Sequence, residues 1–130
     1  MKGDIALNIE FDNEKLKKMF EDLNDVKKSQ NIMKREIGAE LTAAVKKRHN
    51  QLEAFSSFSA LQLSGIGKLE SLSGDRKDEY SMHLSANYRL IIKPKAEDTS
   101  AESLKLCDTV IIKGVVDYHG KGNKFDWLIP

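Results

Sequence analysis

The stretch Gly65–Pro94, GIGKLESLSGDRKDEYSMHLSANYRLIIKP, decides the fold of this 130-residue chain. In its second half apolar and polar residues alternate, once before and once after Ala86-Asn87. A period of two is typical of a strand with one buried face, and a short polar break between two such runs predicts a hairpin. The later stretch VVDYHG, at Val115–Gly120, ends the most β-branched part of the chain. We therefore predict a small sheet built from these segments.

The elements on either side of this sheet follow from hydrophobic spacing and from capping residues. The predicted elements are a strand over 4–11, a helix over 13–23 capped by Asp12 or Asn13, a long helix over 26–55, a helical turn over 58–63, a polar connection over 95–108 and a central strand over 109–118. Together they predict an α+β fold, with the N-terminal strand and a two-helix hairpin packed on a mainly antiparallel sheet of four or five strands. Residues 1–120 are expected to form a single domain, followed by a C-terminal tail over 121–130.

Composition excludes several classes of protein. The net charge is +1, so overall charge does not indicate nucleic-acid binding, although a local basic patch remains compatible with it. The single cysteine, Cys107, allows no internal disulfide and favours a reducing, cytoplasmic location. No apolar run is long enough for a membrane span. Three scattered histidines give no metal-ligand spacing, and no phosphate-binding glycine loop is present, so we expect neither a metal nor a cofactor.

Alternation also assigns side chains to the two faces of the sheet. In the hairpin, Tyr80, Met82, Leu90 and Ile92 belong to the face under the helices, and the alternate positions point away from it. If Val110, Ile112, Val116 and Tyr118 face the core in the last strand, then Arg89, Asp117 and His119 lie together on the open face. A single bulge would invert this assignment for one strand.

A carboxylate, an arginine and a histidine on one face of a sheet suit acid–base chemistry at a phosphate. RNA can be cut without a metal when its 2′-hydroxyl attacks the adjacent phosphate. We expect Glu70 to act as the base and His119 as the acid, because imidazole titrates near neutral pH. Arg89 can bind two phosphate oxygens with its planar guanidinium. Lys68, Arg76 and Lys77 can add positive charge.

The same residues carry a family resemblance. The pattern Leu-x-Gly-Asp-Arg at 72–76, Tyr-Ser at 80–81, Ala-Asn-Tyr-Arg at 86–89 and Asp-Tyr-His at 117–119 resembles the HigB-type killer toxins of the RelE/ParE superfamily. The resemblance covers about residues 55–120. It implies a RelE-like fold, endoribonuclease cleavage of mRNA, usually on the ribosome, and inhibition by a cognate antitoxin, often with a helix-turn-helix. It places Arg89 on the family's phosphate-binding arginine and Asp117, Tyr118 and His119 on its functional Asp-Tyr-His.

Two positions depart from the usual HigB pattern. Many HigB relatives have histidine where this chain has Glu70, and lysine where it has Ser73. The string GIGKLESL resembles the YoeB branch, in which a glutamate at this place is the proposed base. Ser73 removes one charge beside the expected phosphate-binding site, unless Lys68 or Lys77 replaces it.

Several residues have both a functional and an ordinary structural interpretation. Tyr118 either stacks on an RNA base or packs in the core, and Asp117 either orients a neighbour or faces solvent. His83 is expected to be an exposed histidine, between Ser81 and Ser85 on the same face of the strand, without a functional role. The run 46–49, KKRH, is expected to be a solvated helix face rather than an RNA contact. Phe125 and Trp127 in the tail either pack back on the domain or form a partner surface.

Three functions remain open from the sequence. The first is the ribosome-dependent endoribonuclease toxin described above. The second is a toxin of the same fold that binds a protein target such as DNA gyrase, as in the ParE branch, although such chains generally lack the Asp-Tyr-His end. The third, for which Ser73 is the motive, is an inactive module that only binds its antitoxin.

Overall fold

A computed structural model describes residues 6–23, 32–118 and 125–130. Within these ranges the chain forms five α-helices and a sheet of six strands. The helices are α1 (Glu14–Leu23), α2 (Ile32–Ile37), α3 (Ala39–Leu52), α4 (Phe58–Ser64) and α5 (Ala101–Leu106). The strands are β1 (Asn8–Phe11), β2 (Glu70–Ser71), β3 (Tyr80–His83), β4 (Tyr88–Pro94), β5 (Thr109–Tyr118) and β6 (Phe125–Ile129). The α+β class is confirmed.

The sheet is mixed, and β5 organises it. Its strand order is β1-β5-β4-β3-β2, and β6 also pairs with β5. Strand β1 runs parallel to the first part of β5, whereas β6 runs antiparallel to its last part. The β5–β4, β4–β3 and β3–β2 pairs are antiparallel, so the expectation of a mainly antiparallel sheet is confirmed. The sixth strand comes from the tail, which the sequence did not predict to enter the sheet.

The helices cover one face of this sheet. One core cluster joins residues of α1, α2, α3 and α4 to Met82, Leu90 and Val115 of the strands. A second, smaller cluster on the other face contains Leu72, Ile91 and Val116, with no helical residue among them. Burial of the larger cluster is the main source of stability, because apolar area removed from water contributes roughly 25 cal/mol per Å². The face opposite the helices is called the open face below.

The predicted long helix over 26–55 is wrong in its described part, because the chain leaves helical geometry at Gly38. This residue has φ 87° and ψ 163°, a conformation that is essentially restricted to glycine. Its N–H donates to the Lys34 carbonyl at 2.8 Å, and its carbonyl accepts from the Thr42 N–H at 3.1 Å. The expected two-helix hairpin is therefore replaced by three helices, of which α2 and α3 meet at this glycine.

Two further expectations concern segments outside the hairpin. The helix predicted over 13–23 is confirmed as α1, and the Leu16 N–H donates to the Asn13 side chain at 2.8 Å, as a capping residue requires. The polar connection predicted over 95–108 contains α5, which begins after Ser100, whose hydroxyl accepts from the Ser103 N–H. The sequence analysis missed α5, since only Leu104 of this short helix is buried.

Strand β6 lies against β5 at a glycine that leaves room for it. A Cβ atom on Gly114 would collide with the carbonyl oxygen of Ile129 and would lie 2.8 Å from Cζ3 of Trp127. Gly114 also has φ 149°, outside the usual range of other residues. Glycine at this position thus allows the close approach of the two strands.

Candidate active site

Arg89 is a buried arginine on the open face, near the start of β4. Only 9% of its surface is exposed. Its Nη1 donates to the carbonyls of Ser85, Ala86 and Tyr88 at 3.0, 3.2 and 3.1 Å, so the β3–β4 turn holds one edge of the guanidinium. The guanidinium carbon lies 5.0 Å from the centre of the Tyr118 ring, within cation–π distance. The hairpin therefore positions this cation before any ligand arrives.

A bulge in β5 decides which residue accompanies Arg89. Ile91 pairs with Gly114 and Ile92 pairs with Ile112, which leaves Lys113 without a partner in β4. After this irregularity Val115 belongs to the helix-side core, and Val116 to the open-face cluster. The alternation of residues 116–118 is consequently opposite to the predicted one.

This inversion corrects two predictions about the end of β5. Tyr118, predicted on the core side, lies on the open face against Arg89. Asp117, predicted beside Arg89, is aligned with Tyr88 and shares the helix-side parity of Val115. Parity therefore gives no ground for placing His119 beside Arg89, and His119 itself lies outside the described residues.

Glu70 lies on the open face near Arg89, and His83 on the strand between them connects the two. Glu70 in β2 pairs with Ser81 of β3, and His83, two residues further along β3, pairs with Arg89 of β4. Oε1 of Glu70 lies 3.9 Å from Nε2 of His83. The Glu70 side chain is 68% exposed and that of His83 is 27% exposed. Three neighbouring strands thus bring a carboxylate, an imidazole and a guanidinium together.

His83 is the residue of this group that the sequence analysis set aside. Burial is the largest influence on its pKa and lowers it, and the positive charges of Arg89, Lys68 and Arg48 lower it further. The negative charge of Glu70 acts in the opposite direction. The predicted alternation had already placed His83 and Arg89 on one face, so the signal for their pairing was present in the hairpin register.

The backbone of His83 is held from the helical layer. Nε of Arg48 in α3 donates to the His83 carbonyl at 2.7 Å, and Nη1 of Arg48 donates to the Gln51 side chain at 2.7 Å. Arg48 was predicted to belong to a solvated face of the run 46–49. Its contacts instead connect α3 to the end of β3, which fixes the strand at the position of the imidazole.

Arg76 lies on the same face but is already engaged by side chains. Its Nη1 donates to Oε1 of the buried Glu79 at 2.7 Å. Its guanidinium carbon lies 5.2 Å from the Trp127 ring centre and 5.6 Å from that of Phe125. These two rings, in turn, pack against the cluster of Leu72, Ile91 and Val116. The tail aromatics therefore pack back on the sheet, with Arg76 across them.

The remaining predicted binding residues, Lys68, Ser73 and Lys77, do not all lie near His83 and Arg89. Lys68 is exposed and close enough to His83 to influence its pKa. Ser73 precedes the short 3₁₀ turn Gly74–Arg76. Lys77 is exposed and lines a different cavity of about 650 Å³ together with Asp78 and Lys93. The structure thus groups Lys68 with Glu70, His83, Arg89 and Tyr118, and it places Lys77 elsewhere.

Two other features bear on the kind of chemistry. Among the described residues, no group of three or more histidine, cysteine, aspartate or glutamate side chains has an arrangement that would hold a metal ion. A cleft of about 820 Å³ is lined by residues around Gly38 and by Leu84, Ser85 and Tyr88, on the helix side of the hairpin. It does not include Glu70, His83 or Arg89. No helix in the described ranges has the length and apolar character needed to cross a membrane.

Solved structures similar to this chain include three bacterial toxins. The YoeB/ParE toxin from Agrobacterium tumefaciens is 11% identical to this chain, with a TM-score of 0.49. A chain of the YoeB-YefM complex from Staphylococcus aureus is 19% identical (TM-score 0.48), and the YoeB dimer from Staphylococcus aureus is 18% identical (TM-score 0.46). The matches cover 88% of this chain and 100%, 98% and 99% of the respective neighbours. No protein-family model and no curated protein matches the chain. Evidence for an activity therefore has to come from its own residues.

Proposed function

We propose that this chain is the toxin of a bacterial type II toxin–antitoxin pair, of the HigB type, and a metal-independent endoribonuclease that cleaves mRNA on the ribosome. The observation that carries the proposal is the convergence of Glu70, His83 and Arg89 on an open sheet face. The sequence pattern that resembles the HigB-type killer toxins includes the same arginine, and the string GIGKLESL, which resembles the YoeB branch, includes the same glutamate. Both lines of support come from residues 65–118.

The chemistry follows from these groups and from the Asp-Tyr-His string. Glu70 accepts the proton of the ribose 2′-hydroxyl, whose oxygen then attacks the adjacent phosphorus. The bond from phosphorus to the 5′-oxygen breaks, and His119 donates a proton to the departing oxygen. The products are a 2′,3′-cyclic phosphate and a 5′-hydroxyl. Arg89 stabilises the additional negative charge on the phosphate oxygens during this step.

The geometry of Arg89 suits such a role. One edge of the guanidinium is held by three turn carbonyls, so its orientation does not have to be acquired when RNA binds. A preorganised donor of this kind contributes typically 10²–10³-fold to a rate. Tyr118 contacts both this guanidinium and the Phe125 ring, which lie 5.0 and 6.4 Å from its ring centre, and it helps to hold Arg89 in place.

The partners in this proposal are mRNA, the ribosome and a cognate antitoxin with a helix-turn-helix, and the location is the cytoplasm. The experiment is induction of the chain in a bacterial host, with mapping of RNA 5′ ends. Wild type should arrest growth and produce new 5′ ends inside translated mRNA. Arg89→Ala combined with His119→Ala should relieve both effects, whereas Lys105→Ala in the exposed part of α5 serves as the matched control.

Unchanged toxicity of the double variant would contradict this mechanism, provided that the protein is present at the wild-type level. Growth arrest without new RNA ends, together with inhibition of DNA supercoiling in vitro, would instead indicate a gyrase-binding toxin. Absence of toxicity with tight antitoxin binding would indicate an inactive module.

A further inference from the structure

We propose that His83 is a further catalytic residue, which accepts the proton of the ribose 2′-hydroxyl while the neighbouring Glu70 carboxylate stabilises the resulting imidazolium. This inference rests on the proposed function and changes which residue accepts the 2′-hydroxyl proton. On sequence grounds alone, Glu70 is expected to accept this proton and His83 to have no role. The contacts of the two side chains favour the reverse assignment.

The distance between the two groups supports this assignment. Nε2 of His83 and Oε1 of Glu70 are 3.9 Å apart, which is too long for a direct hydrogen bond. The carboxylate therefore leaves the Nε2 lone pair available to accept the proton of a hydroxyl group. At this distance it is still close enough to stabilise the imidazolium once that proton has arrived.

The imidazole of His83 is also available for proton transfer within the part of the chain that the structure describes. There its ring makes no hydrogen bond, and the nearest charged partner is Glu70 at 3.9 Å. His49 offers the contrast, because its buried ring lies between Phe11 and Phe20, with ring centres 6.4 and 5.5 Å away. His49 is a packing histidine, whereas His83 presents its ring at the surface of the site.

The charges around His83 also favour a neutral imidazole before the reaction. Arg89, Lys68 and Arg48 oppose protonation of the ring, and Glu70 alone favours it. The neutral imidazole that results is a proton acceptor at neutral pH, and imidazole is roughly 100-fold more basic than an ordinary carboxylate. Once the ring is protonated, the adjacent Glu70 carboxylate compensates the new charge. Arg89, to which the proposed function assigns the phosphate, is the cross-strand neighbour of His83.

Every proton in the proposed step has a donor and an acceptor. The 2′-hydroxyl proton moves to Nε2 of His83 as the 2′-oxygen forms its bond to phosphorus. The bond to the 5′-oxygen breaks, and that oxygen takes a proton from the general acid, His119 in the proposed function. His83 later returns its proton to water. No metal, cofactor or redox partner enters the reaction.

The test combines a histidine titration with a pH–rate profile. In NMR spectra of the full chain, the His83 pKa should lie below the ordinary histidine value of about 6.5. Glu70→Gln should lower it further and Lys68→Met should raise it, while Glu102→Gln in α5 should leave it unchanged. A His83 pKa at or above the ordinary value, or one that Glu70→Gln does not change, would overturn the proposal.

Cleavage of mRNA on purified ribosomes supplies the second readout. His83→Gln should reduce the rate roughly 10²–10⁴-fold and remove the acidic limb of the pH–rate profile. If His83→Gln retains full activity and that limb, the inference fails and the proposed function stands. If wild type itself cleaves no RNA, the proposed function fails. Should His83→Gln not fold, the titration of wild type and Glu70→Gln still decides the case.

Discussion

Substitution of Gly38 by alanine tests whether α2 and α3 form one continuous helix or two helices that meet at this residue. The two possibilities predict opposite changes in the free energy of unfolding. If α2 and α3 were one continuous helix, alanine would stabilise the protein by about 1 kcal/mol, because glycine is the poorer helix former. In the structure Gly38 has φ 87° and ψ 163°, where a residue with a Cβ is strained by about 1–3 kcal/mol. The reduced freedom of the unfolded chain offsets about 0.4–1 kcal/mol of this strain.

The net expectation is a loss of about 1–2 kcal/mol in unfolding free energy, since no atom lies within 4 Å of the new Cβ to add a clash. Urea denaturation followed by circular dichroism measures it. For a slope of roughly 2 kcal/mol per M, the midpoint should fall by about 0.5–1 M. Ala43→Gly, at an exposed position within α3, is the matched control and should cost about 1 kcal/mol. A higher midpoint for Gly38→Ala would refute the break between α2 and α3.

Three further predictions concern the sheet, the site and pH. Arg89→Met should lower the unfolding free energy by about 2 kcal/mol, because turn carbonyls lose a charged donor, and should slow RNA cleavage roughly 10²–10³-fold; unchanged urea midpoint and unchanged cleavage would contradict it. Gly114→Ala should displace β6, seen as faster amide exchange of 125–129 with β4 still protected; unaltered exchange there would count against the packing of Ile129 on Gly114. Burial lowers the pKa of His49, so the unfolded chain binds the proton more readily. Stability should therefore be full above about pH 6.5 and decrease below it, with a smaller decrease in His49→Gln; a flat profile from pH 7 to 5 in wild type would contradict this.

The hairpin could be predicted from sequence because its local signals agree. Tyr80–His83 and Tyr88–Pro94 alternate cleanly, and the pairing of His83 with Arg89 follows from that alternation and a short turn. The helix break at Gly38 could not be predicted with the same assurance. A single glycine is tolerated within helices, and only the backbone angles show that this one ends α2.

The end of β5 shows why the site could be predicted only in part. The alternation of Val116 and Tyr118 depends on a bulge at Lys113, and no residue type in that strand announces it except Gly114. The bulge exchanges the faces of Tyr118 and Asp117, so the residue beside Arg89 differs from the predicted one. The approach of Glu70 to His83 depends on the register between β2 and β3 across residues 72–79, which alternation alone does not fix.

The most direct test of acid–base RNA cleavage is the chemistry of the ends produced from a defined mRNA on purified ribosomes. The proposed mechanism requires the ribose hydroxyl, so each cut should leave a 2′,3′-cyclic phosphate and a 5′-hydroxyl. An mRNA with a single 2′-deoxy nucleotide before the scissile phosphate should remain uncut there. Cleavage at the deoxy position, or products with 3′-hydroxyl and 5′-phosphate ends, would contradict the roles of Glu70, His83 and Arg89.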